Sequence, residues 1–170
     1  MAVIAANGIR VAPPQGWEAQ LRTLESSTPT EEGPELRAAA VLDERGRVRR
    51  RAPRTNLHVA NFALPAERGD FGGGAVELMG LRHAFVSLVE YEDNLAGVGL
   101  FAREGVPRRI RPEEFDPQAL QRTITGQAGL QRFFTADGRA FCLYVVLGGH
   151  RMARVITPAI NEVLETIEVG

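Results

Sequence analysis

An α+β architecture is what this sequence predicts: an antiparallel sheet with helices packed on its faces and a last helix laid across it. Three observations carry that expectation. Asp137-Gly138 stands between two β-rich runs, LQRFFTA and RAFCLYVVLGG, and Asp-Gly at such a junction is among the strongest short hairpin signals. The runs AFVSLVEY and FCLYVVL are apolar on both faces, the pattern of interior strands. Near the end, Ile160, Val163, Leu164 and Ile167 recur at i, i+3, i+4 and i+7, which is one apolar helix face.

The elements follow in order. GIRVA (Gly8 to Ala12) reads as a short strand stopped by Pro13 and Pro14. A Pro-Pro-Gln-Gly turn leads into WEAQLRTL, where Trp17, Ala19 and Leu21 alternate with Glu18, Gln20 and Arg22, so the two runs are expected to form a hairpin. The segment from Ser26 to Glu35 has the turn formers and charges of a surface loop, and LRAAAVLD after it has strand character. ERGRVRRRAPRTN carries six arginines from Arg45 to Arg54; residues 26–55 read as a charged loop or arm.

LHVANFALP is a strand with His58, Ala60, Phe62 and Leu64 on one face. The glycine-rich RGDFGGG follows, then AVELM as a short helix ended by Gly80, with Asp70 as a candidate cap. AGVGLFA is expected to pair with AFVSLVEY across the EDN turn. Val106 to Phe115 is irregular, being rich in proline and arginine. FDPQALQRTITGQAG sends two signals: Asp116-Pro117 opens a helix, whereas Thr123, Ile124 and Thr125 favour a strand. The terminal helix is expected to start with Thr157 as cap and Pro158 in its first turn. There is no internal repeat.

Composition bounds the chemistry. The 170 residues suffice for one domain with its own core, and 44% hydrophobic residues with a net charge of -1 describe a globular, near-neutral chain. That balance speaks against a dedicated nucleic-acid partner. All twenty basic residues are arginine, so Schiff-base chemistry and a P-loop lysine are excluded. The single cysteine, Cys142, excludes an internal disulfide and a cysteine-rich metal site. The first residues lack a basic n-region and a long apolar core, and no apolar run approaches the ~20 residues of a membrane span, so a cytoplasmic location is expected.

Candidate sites are few. Gly72, Gly73 and Gly74 ahead of a short helix have the ingredients of a phosphate cradle. Yet Ala75 and Val76 stand where a P-loop needs Lys-Ser/Thr, and Asp70 and Glu77 repel an anion. A tight conformational turn or a partner-contact loop are the other readings. His58 is either a hydrogen-bonded core histidine or the centre of a small-molecule pocket. The histidines do not lie at metal-ligand spacing, and no metal or cofactor is expected. Cys142, between Phe141 and Leu143, reads as a small core residue, and no catalytic residue is assigned. Alternation across LQRFFTA places Arg132 and Phe134 on one face and Gln131 and Phe133 on the other. Arginine and aromatic residues are favoured interface anchors. Arg49, Arg50, Arg51, Asp70, Phe71, Arg132 and Phe134 are therefore the partner-binding candidates.

GIRVAPPQGW near the start, the antiparallel middle, and FCLYVVLGG followed by ITPAINEVLETI together resemble the PsbP/Mog1 group over most of the chain. The resemblance implies a sheet sandwiched by helices and a tendency to bind proteins: known members include photosystem accessory subunits, a small-GTPase regulator, lipoproteins and secretion chaperones. It carries no catalytic residue with it. The expected function is a cytoplasmic, non-catalytic protein-binding or adaptor domain. Two alternatives stand beside it. A secretion chaperone would mask an apolar client segment and predicts a concave apolar face and a homodimer. A small-molecule-binding protein or enzyme would use a pocket near His58.

Overall fold

The computed structural model describes residues 2–24 and 54–170. Among these, β3 (Glu18–Leu24), β4 (Arg54–Ala60), β5 (Ala84–Glu90), β6 (Ala128–Ala136) and β7 (Arg139–Leu147) form an antiparallel sheet in the order β3-β4-β5-β7-β6. A smaller sheet joins β1 (Ile4–Ala6), β2 (Ile9–Val11) and β8 (Glu168–Val169). Between β7 and β8 lies α1 (Ala153–Thr166). The chain is thus α+β, with antiparallel sheets and a C-terminal helix packed on the larger one.

Strand register assigns the two faces. Leu57, Leu88 and Leu143 align across β4, β5 and β7, as do Val59, Val86 and Val145 one row on. This face meets Ile156, Ile160, Val163 and Leu164 of α1 in one continuous core that also takes in Ile9 and Val11 of the small sheet. Each such side chain contributes roughly 1.5–3 kcal/mol by leaving water. The opposite face carries a smaller cluster, Ala60, Phe85, Tyr144 and Val146, covered by Leu64, Phe71, Ala75 and Met79 from the glycine-rich segment.

A buried ion pair ties the sheets together. Glu90 takes Arg139 through two contacts, Nε to Oε1 at 2.8 Å and Nη2 to Oε2 at 3.0 Å, and also accepts from the Thr55 amide at 2.7 Å. Arg139 Nη1 donates to the Asn7 carbonyl in the β1–β2 turn, and Asn7 Nδ2 donates to Thr55 Oγ1.

The Asp137-Gly138 hairpin and the two interior strands are where the sequence places them, with both turn residues at positive φ as a type I′ turn requires. Other elements differ. β2 pairs with β1 and β8, not with β3. Its partner arrives through the Asn7-Gly8 turn, φ 49° and 75°, a hairpin signal as strong as the Asp-Gly one. AGVGLFA is not a strand: β4 and β7 already occupy both edges of β5, and Gly97 and Gly99 adopt positive φ. Within it only Gly99–Phe101 closes a 3₁₀ turn, and another, Asp93–Leu95, precedes it. AVELM closes only one 3₁₀ turn, Val76–Leu78. Asp116 forms neither the helix nor the strand expected after it; its carboxylate accepts from the Gln118 amide in a turn, and its backbone bridges to Gly129.

The terminal helix starts at Ala153, four residues before the expected cap. Thr157 lies inside it, its hydroxyl donating back to the Ala153 carbonyl at 2.6 Å, and Pro158 is an interior proline. Burial of Ala153 and Ile156 extends the apolar face backwards and overrides the local capping preference. The LRAAAVLD strand and the 26–55 arm lie, except for residues 54 and 55, outside the described residues.

Candidate functional site

The most elaborated polar constellation sits on the sheet face beneath the glycine-rich segment. Register places Gln20, His58, Ser87, Tyr144 and Gln131 in one row crossing all five strands of the larger sheet. His58 is fully buried and uses both ring nitrogens. Arg68 Nε donates to Nδ1 at 2.7 Å. A guanidinium cannot accept, so the proton of neutral His58 sits on Nε2 and is donated to the Asp70 carbonyl at 2.8 Å. Ser87 Oγ donates to the same carbonyl at 2.7 Å.

Arg68 extends the network. Its Nη2 donates to Gln20 Oε1 at 2.7 Å and its Nη1 to the Pro65 carbonyl. Gln20 Nε2 donates to Glu18 Oε1 at 2.6 Å, and Glu18 Oε2 accepts from the Leu64 amide at 3.1 Å. Arg22 Nη1 reaches the Arg68 carbonyl at 2.6 Å. Side chains on β3, β4 and β5 thus hold the backbone of residues 64–70 against the sheet.

Electrostatics follow from this geometry. Burial pushes the His58 imidazole down to about 4, with the Arg68 and Arg22 charges acting the same way and the Asp70 carbonyl opposing. Burial also lowers Arg68, helped by Arg22. The Tyr144 hydroxyl is raised by burial while it accepts a hydrogen bond from the Gln121 amide. The Cys142 thiol is pushed up to about 12 by burial and is held as the thiol at neutral pH.

The glycine-rich loop spends its amides on itself. The Gly69 amide donates to Gly73 O, Gly72 to Gly69 O, and Ala75 and Val76 to Gly72 O. The Gly74 amide donates to Glu77 Oε2 at 2.7 Å, so the chain's own carboxylate stands where a phosphate oxygen would. Gly72 (φ 85°) lies against the Phe85 ring so closely that an added Cβ would fall 2.5 Å from Cε1. Here glycine is required for conformation and contact alike.

The sequence candidates fall into separate places. His58, Asp70 and Phe71 are brought together: Asp70 contributes its carbonyl, and Phe71 stands edge-on to Tyr144 at 5.5 Å between centroids. Asp70 caps no helix: the short turn Val76–Leu78 has no side-chain cap, and Glu77 within it accepts from the Gly74 amide ahead of the turn. Arg132 and Phe134 lie on β6, on the α1 side of the sheet. Arg132 pairs with Glu114, and Phe134 is fully buried and stacked on Phe141 at 5.6 Å, so it presents no surface to a partner. Arg49, Arg50 and Arg51 lie outside the described residues. Among the described residues no group of three or more His, Cys, Asp or Glu is placed to hold a metal ion, and no helix is long and apolar enough to cross a membrane.

Arg68, Gln20 and Glu18 were not singled out from sequence. The available signal was polar residues at alternate positions of β3 and a lone serine in the apolar β5, but their alignment with His58 depends on strand order. Fold and site together define an antiparallel α+β domain with a satisfied polar network sealed under a glycine-rich loop. Compared with known protein families, curated proteins and solved structures, the chain matches none.

Proposed function

We propose that this chain is a non-catalytic protein-binding or adaptor domain of PsbP/Mog1 type, and that its contact surface includes the tip of the glycine-rich loop. The observation that carries the reading is the exposure of Leu78 (65%) and Leu81 (47%) on a loop whose backbone is firmly held. Gln127 Nε2 donates to the Val76 carbonyl at 2.7 Å, and Asn61 bridges the Arg82 carbonyl and the Ala84 amide. Gly148 approaches the Gly80 carbonyl so closely that a Cβ there would fall 1.9 Å away. Apolar side chains presented on a rigid support lose little entropy when a partner covers them.

The inward orientation of the polar groups supports the same reading. His58 and Ser87 spend their hydrogen bonds on the loop backbone and on Arg68, so this network directs them at the fold rather than at a substrate. An antiparallel sheet bearing a terminal helix after its last long strand supports the family assignment.

The test is a photo-crosslinking residue at position 78 in lysate of the native cells, with position 162 on the outer side of α1 as control. One discrete protein adduct at 78, lost in Leu81→Asp, is the expected result. Equal labelling at 78 and 162, or none at either, overturns the proposal.

A further inference from the structure

A second surface, remote from the loop tip, has the chemistry of an anion site. Residues 103–109 run beside edge strand β6 and with Arg132 line a cleft of about 340 Å³. The lining contains Arg103, Arg108, Arg109 and Arg132 against one carboxylate, Glu104, in a chain whose net charge is -1. We propose that this cleft binds a small phosphorylated anion through those arginines.

The arginines stand on a preorganised support. At one end the Thr135 amide donates to the Arg103 carbonyl at 2.7 Å and the Gly105 amide to the Thr135 carbonyl at 2.8 Å. At the other, Asn161 of α1 takes both backbone groups of Ile110, at 3.0 and 3.1 Å. Arg108, also a lining residue, donates from Nη1 to carbonyls at the C-terminus of α1, including Leu164 at 3.1 Å, which holds that end of its side chain in place.

Internal carboxylates offset only part of the charge. Glu114 pairs with Arg132, and Glu165 meets Arg109 at 3.8 Å with both side chains largely exposed, a weak contact. Arg103 and Arg108 have no carboxylate partner among the described residues. Arg132 Nε is buried without a hydrogen-bond partner. Burial, then the charges of Arg103 and Arg111, lower the Arg132 pKa, so like charges crowd this site. A bound anion relieves the crowding, and guanidinium forks match phosphate oxygens two at a time. The volume lies at the small end of ligand sites, the size for a compact phosphorylated molecule and too small for a dinucleotide.

The experiment is calorimetric titration of the intact chain with pyrophosphate, with citrate as a carboxylate probe of similar charge, at constant ionic strength. Pyrophosphate is expected to bind with a sub-millimolar Kd, and Arg103→Gln and Arg109→Gln each to weaken it about tenfold, the worth of one charge-assisted contact. Both side chains are exposed, and unchanged circular dichroism and melting temperature confirm folding. Arg82→Gln, at the other end of the sheet, is expected to leave binding unchanged. Citrate binding as tight as pyrophosphate overturns the phosphate class. Equal losses in the Arg103 and Arg82 variants, or no heat up to about 10 mM, overturn the site. Leu78 and Leu81 take no part, so this result and the crosslinking result are independent.

Discussion

His58 offers a way to measure how much the sealed network contributes. In the folded chain its imidazole is held neutral, with a pKa of about 4, whereas the unfolded chain has the ordinary 6.5. Between those values the unfolded state binds the extra proton, so stability rises with pH across that window and falls as pH drops through it. Below pH 4 the folded ring is itself protonated; Nδ1 becomes a donor facing the Arg68 donor, and the loss is complete. The full difference is about 3 kcal/mol, and linkage puts about 1.4 kcal/mol of it already lost at pH 5.5. His58→Gln keeps one acceptor for Arg68 and one donor for the Asp70 carbonyl but does not titrate there. Urea denaturation of both proteins at pH 7.5, 6.5, 5.5 and 4.5 gives the stability difference at each pH, in which contributions common to the two proteins cancel. Wild type is expected to lose about 2–3 kcal/mol more than the variant between pH 7.5 and 4.5. Parallel curves would refute the neutral buried histidine.

The remaining predictions use other contacts. Gly72→Ala meets the Phe85 ring and a φ of 85°, and is expected to cost about 2–4 kcal/mol by denaturant titration. Gly73→Ala, with nothing within 4 Å of the added Cβ, is expected to stay within about 0.5 kcal/mol of wild type. Arg139→Ala strands the buried Glu90 carboxylate and is expected to cost about 3–5 kcal/mol; adding Glu90→Gln should recover part of that, which a double-mutant cycle reads directly. Phe134→Ala removes a ring stacked in the core and is expected to cost about 3–5 kcal/mol in the same titration.

Strong local signals were legible where chain and sheet agree. Asp137-Gly138 places β6 against β7, and the doubly apolar runs mark β5 and β7 as interior strands, because burial on both faces leaves no room for alternation. What failed was pairing. GIRVA and WEAQLRTL are adjacent in sequence, yet β2 bonds to β1 and to β8, and the latter contact closes over more than 150 residues. Neighbouring strands pair often enough to make the hairpin a reasonable expectation, and here a competing Asn-Gly turn and the returning terminus won. The helix boundary failed for a related reason: Thr157-Pro158 is a good local start, but the core reaches back to Ala153.

The polar site was harder to read for a geometric reason. His58 and Asp70 could be singled out as polar residues near a turn, but their roles depend on Ser87 aligning with His58 across β4 and β5, and on Gln20 aligning from β3. Register of that kind is set by the whole sheet. Arg68 is the instructive residue. In sequence it is one arginine among twenty, in a surface-like RGD string; in the fold it is buried and holds three different groups from residues 20, 58 and 65. A charge is retained in such a place only when its donors are satisfied, since one left unpaired costs several kcal/mol. The satisfaction of Arg68 is what makes the loop conformation specific. The same network directs its polar chemistry inward, onto the loop backbone, while Leu78 and Leu81 further along the segment stay exposed.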